Sequence, residues 1–125
     1  MRSRLIPWLR AGFVVALLIQ GYLLYFDVPG TSDVVLFPHV DKVVHAALFA
    51  LPAATGVLAG MPPWVLGVVL AGHAPVSELI QRAFLPGRFG DPLDVLADLV
   101  GVGLGLVVGV LVLRVWQSRV WERAL

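Results

Sequence analysis

Four long apolar stretches divided by short polar joints constrain this chain more than anything else in it. They cover residues 7–26, 42–59, 64–84 and 92–116. A helix needs about 20 mostly apolar residues to cross the hydrocarbon core of a bilayer, and each stretch is near that length. Of the 125 residues, 59% are hydrophobic and only 14% are charged, against about 25% charged in an ordinary soluble domain. Mean hydropathy is +0.92. The chain is therefore read as one all-α domain, residues 1–125: a polytopic membrane protein, a bundle of four transmembrane helices. Gly60-Met61-Pro62-Pro63 marks a tight hairpin between the second and third spans. Pro52 and Pro75 fall inside spans, where a missing N–H predicts kinks. Cysteine is absent, which excludes disulfides and thiolate metal sites. A net charge of +1 gives no footprint for nucleic acid.

Arg2, Arg4 and Arg10 precede the first apolar run, as in a secretory signal. The run ends in Asp27-Val28-Pro29-Gly30 without a small-x-small cleavage pattern, so it is expected to remain as the first span. Four spans put both termini on one side. That side holds Arg2, Arg4, Arg10, Arg114, Arg119 and Arg123; the other holds Lys42, Arg82 and Arg88. The basic bias makes both termini cytoplasmic. Trp8, Trp64, Trp116 and Trp121 fall near that same edge, as an aromatic belt does. Apart from Glu122, the acidic residues lie toward the outer face: Asp27, Asp33, Asp41, Glu78, Asp91, Asp94 and Asp98.

Ionisable groups at a bilayer edge are costly unless they pair or work. Three patches are expected to converge at the outer rim. Asp41, His45 and Phe49 are four residues apart and share a helix face, with Lys42 beside them. Glu78 and Gln81 share a face at the end of the third span. Arg88 precedes Asp91, Asp94 and Asp98, which form one stripe at the start of the fourth. Asp98 lies about 10 Å below Asp91 at 1.5 Å per residue, so its carboxylate must find a proton or a partner. His45, Lys42 and Arg88 are the partners at hand. Gly101, Gly105 and Gly109 continue the stripe as a small-residue groove for a neighbouring helix.

Other features carry less chemistry. His73, beside Pro75, is expected to bond a carbonyl that the proline frees. His39 and Asp33 read as solvated loop residues. The basic tail from Arg114 to Arg123 reads as an anchor for anionic headgroups. There is no phosphate-cradling glycine loop and no nucleophile elbow. His45 with Asp94, Asp98 and Glu78 offers donors that suit a divalent cation, but no spacing marks a metal site, and no cofactor is named.

The order Asp41-Lys42-x-x-His45-x-x-x-Phe49, Glu78-x-x-Gln81, Arg88-x-x-Asp91-x-x-Asp94-Val95-Leu96-Ala97 and Gly101-x-x-x-Gly105 resembles the VanZ-like family of small bacterial membrane proteins. The likeness spans about residues 41–109. It implies a multi-pass protein of the bacterial cytoplasmic membrane with a role in the cell envelope. The family's namesake is linked to low-level resistance to the glycopeptide teicoplanin. The family usually has Asn where this chain has Asp98, a change that adds a titratable group deep in the site.

Three functions are open at this stage. The first is a pocket of Asp41, Lys42, His45, Glu78, Gln81, Arg88, Asp91, Asp94 and Asp98 that binds or modulates a lipid headgroup or amphiphilic envelope ligand. The second is a membrane enzyme on a lipid-linked substrate, with His45 as acid or base and Asp94 or Asp98 orienting it. The third is an assembly subunit whose glycine groove takes a partner helix or a second copy of the chain.

Overall fold

A computed structural model describes residues 2–26, 39–85 and 92–124. They form four helices: α1 (Arg2–Tyr25), α2 (Val40–Leu58), α3 (Pro63–Phe84) and α4 (Pro92–Ala124). All four are long and apolar enough to cross a membrane. Their outward faces carry large apolar residues such as Leu18, Val68, Leu79, Leu104 and Val108, as lipid-facing surfaces must. The core is narrow and small. Leu24, Leu48, Phe49, Ala53, Leu70, Ala74 and Val102 make up its buried cluster.

The contacts give an up-down-up-down order. Gln20 of α1 meets Leu48 of α2, and Phe13 lies against Gly56. Gly56 also faces Leu66 of α3, and Gly67 faces Leu106 of α4. α2 and α4 run parallel and form the most extensive seam in the bundle. One end of the bundle thus collects the C-terminal ends of α1 and α3 and the N-terminal ends of α2 and α4. Arg2 and Ala124 lie toward the other end.

Glycine sets the depth of the α2–α4 seam. A Cβ on Gly101 would collide with the Ala46 backbone, one on Gly105 with the Ala50 backbone, and one on Gly109 would lie 2.9 Å from Val57 Cβ. Only bare backbone lets the two axes come this close. The hairpin after α2 closes with Gly60 in the left-handed region (φ 98), Gly60 N–H on the Val57 carbonyl and Met61 N–H on the Gly56 carbonyl. This is a Schellman cap, and the prolines that follow prevent the helix from continuing.

Two boundaries differ from the sequence expectation. α1 begins at Arg2 rather than near Pro7, and α4 runs to Ala124 rather than to about Trp116. Apolar runs mark where lipid ends, whereas helical backbone continues into flanks rich in Arg, Gln and Glu, which are good helix formers. Helix α2 runs on through Pro52 and α3 through Pro75. Pro52 deprives the Leu48 carbonyl of its helical donor, and the buried Gln20 amide supplies one instead at 3.1 Å. In lipid every backbone group must be satisfied within the protein.

Candidate functional site

The first turns of α2 and α4 run side by side at the joint-bearing end. Lys42 and His45, three apart on α2, face Asp94 and Asp98, four apart on α4. Lys42 Nζ donates to Asp41 Oδ2 at 3.0 Å and to Asp94 Oδ1 at 2.5 Å. The second oxygen of Asp94 lies 3.6 Å from His45 Nε2. His45 Nδ1 is 2.8 Å from Asp98 Oδ1. The result is one chain of ionisable groups, Asp41–Lys42–Asp94–His45–Asp98, that crosses between the two helices.

The chain runs from open to dry. Side-chain exposure falls from 61% at Asp41 to 20% at Lys42, 14% at Asp94, 12% at His45 and 0% at Asp98. Asp41 is thus open to the surroundings, whereas Asp98 is fully enclosed behind its contact with His45. Asp98 Oδ2 is buried and has no hydrogen-bond partner among the described residues. An unsatisfied buried polar atom of this kind costs roughly 1–3 kcal/mol.

Helix α3 closes the site from the side. Glu78 is buried, and its charge acts on the His45 ring together with those of Asp94 and Asp98. It also lines a groove of about 260 Å³ between α3 and α4, with Pro75, Leu79, Arg82, Pro92 and Val95. Gln81 is buried one turn on, and its amide donates to the Leu24 carbonyl at 2.7 Å. That carbonyl is among the last four of α1, which lack helical donors. Gln81 Nε2 is thus engaged by the backbone of α1.

Deeper in the bundle, His73 Nε2 lies 2.6 Å from the Tyr25 hydroxyl. This corrects the expectation that His73 bonds a carbonyl freed by Pro75. The Phe49 ring packs on His73 at a centroid distance of 5.7 Å. His39 is exposed just before α2, with φ 62.

The structure brings together Asp41, Lys42, His45, Glu78, Asp94 and Asp98, with Gln81 at their edge. Arg88 and Asp91 lie outside the described residues, as do Asp27 and Asp33. Among the described residues no three His, Cys, Asp or Glu side chains converge in a way that could hold a metal ion. Sequence reading missed Gln20 and Tyr25, and considered Ser77 only as a hydroxyl beside Glu78 with no His partner. Gln20 had a signal: a lone amide in an apolar run must face protein rather than lipid. Ser77 is fully buried and only returns its hydroxyl to the Ala74 carbonyl at 2.8 Å. Comparison with protein-family models, with curated proteins and with solved structures finds no match.

Proposed function

We propose that this chain is a VanZ-like protein of the bacterial cytoplasmic membrane, both termini in the cytoplasm, that binds an amphiphilic envelope ligand at its outer rim. The observation that carries this reading is the graded chain from Asp41 to Asp98, open at one end and dry at the other. A network that only fixed helix register has no need of an exposed, charged mouth. Four described carboxylates (Asp41, Glu78, Asp94 and Asp98) gather around Lys42 and His45. Such a set accepts hydrogen bonds from hydroxyl or amine groups, while Lys42 is placed to meet a phosphate as a point charge. Arg88, next in the sequence pattern, would add a bidentate phosphate contact.

The test is ligand binding to purified protein in defined lipid. Lys42→Ala and Asp94→Ala are expected to weaken binding of an envelope lipid at least tenfold, about 1.4 kcal/mol, with the fold retained. If neither these variants nor Arg88→Ala changes binding of any envelope lipid tried, the rim pocket is wrong.

One observation favours a second reading, a membrane enzyme acting on a lipid-linked substrate. Buried Asp98 holds His45 by Nδ1, while Nε2 stands 3.6 Å from Asp94, longer than a hydrogen bond. An imidazole oriented from below with its other nitrogen toward the mouth can act as general acid or base. Turnover of a lipid-linked envelope precursor that disappears in His45→Ala, while ligand binding persists, would decide for this reading. Binding without turnover in the native chain decides against it.

A further inference from the structure

The opposite end of the bundle carries a second, unrelated arrangement. Val110 and Arg114, one turn apart on α4, form a ridge with a hollow on each side. The first hollow, about 350 Å³, lies between α4 and the α2–α3 hairpin, against Val57, Met61, Leu113 and Gln117. The second, about 250 Å³, lies along α4 itself, against Leu106, Val107 and Leu111. Val110 and Arg114 line both.

We propose that this end holds one anionic diacyl phospholipid, its phosphate on Arg114 and one acyl chain in each hollow. Three observations select that occupant. The first is charge. No carboxylate lines either hollow, and Arg114 makes no ion pair among the described residues. The second is order along the helix. Gln117 lies nearest the chain terminus, Arg114 one turn inward, and Val110 and Leu106 further in again. A phospholipid has the same sequence: polar head, phosphate, then chains. The third is number. Two apolar hollows flanking one cation match two chains on one phosphate, which a single-chain lipid does not need. Depth also fits, because Val107 and Leu111 are exposed on the lipid-facing side of α4, where a chain enters without opening the bundle. This site shares no residue with the rim cluster and does not depend on its function.

The experiment is native mass spectrometry of the full chain, released from micelles with equal amounts of phosphatidylglycerol and phosphatidylcholine. The native protein is expected to retain phosphatidylglycerol preferentially, one molecule per chain. Arg114→Gln should reduce that preference about fivefold, the ratio for one basic residue at a membrane surface. Leu111→Trp, which fills one hollow, should shift retention toward lysophosphatidylglycerol. Excess glycerol 3-phosphate should leave the lipid in place; displacement would indicate a phosphate site without lipid specificity and overturn the proposal. So would native protein that holds lysophosphatidylglycerol as firmly as the diacyl form. The proposal also fails if Arg119→Gln with Arg123→Gln removes the preference while Arg114→Gln keeps it. Unchanged melting of each variant in lipid-free micelles separates loss of the site from loss of fold.

Discussion

The seam between α2 and α4 is built in two ways along its length. In its first turns side chains meet: Lys42 with Asp94, and His45 with Asp98. Further along, at Gly101, Gly105 and Gly109, bare α4 backbone lies against Ala46, Ala50 and Val57. Side-chain bridges span a variable gap and can exchange partners with a ligand. Backbone contact fixes the gap. The lower seam therefore clamps the two helices, and the upper seam presents groups whose mutual distance the clamp has already set. A site placed on such a support keeps its geometry when its own polar contacts are altered.

The largest expected effect comes from breaking the clamp. Gly105→Leu should leave no native bundle, because even a bare Cβ there lies 2.8 Å from the Ala53 Cβ and against the Ala50 backbone. Gly105→Ala is the measurable version, expected to cost about 1–3 kcal/mol from overpacking, read as a fall in melting temperature in micelles. A Gly105→Leu chain that melts like the native one would show that the lower seam is no clamp.

Altering the polar half should cost less. Asp98→Ala leaves the His45 Nδ1 side without its partner, a loss of about 1–2 kcal/mol. Asp98→Asn keeps a hydrogen-bonding group at 2.8 Å from the imidazole and should recover most of that stability. Thermal unfolding of the pair decides the matter. If Asn is as costly as Ala, the seam needs the charge and not merely the contact, and the upper half tolerates change less well than its rigid support implies.

Much of this geometry is legible in the chain because membrane burial makes polar residues conspicuous. Four apolar runs of helical length show as four helices, and the period of 3.6 places Asp41, His45 and Phe49 on one face and Asp94 and Asp98 on another. Less legible is which helix meets which, since an apolar stripe of Val and Leu looks alike toward lipid and toward protein. The role of Gln81 is hidden for a different reason. Its partner is a main-chain carbonyl, at Leu24, and backbone acceptors have no sequence signature. The same holds for Gln20 on the Leu48 carbonyl, although Pro52, four residues on, shows that this carbonyl lacks its usual donor. The Tyr25–His73 contact joins residues 48 apart, and nothing local announces it. Helix ends that lie beyond the apolar runs, at Arg2 and Ala124, escape a reading tuned to those runs.

The smallest expected effect separates close approach from a general cost of changing glycine. Gly103 lies between Gly101 and Gly105 on the same helix, yet it faces outward and a Cβ there meets nothing within 4 Å. Gly103→Ala should therefore stabilise the chain, by about 0.5–1 kcal/mol, because alanine loses less conformational freedom than glycine in a helix interior. The same substitution two residues away, at Gly105, has the opposite sign. A matched pair of melting curves for Gly103→Ala and Gly105→Ala reads this directly. If both variants fall together, glycine serves α4 as flexibility rather than as contact, and the rigid lower seam on which the polar cluster stands is lost.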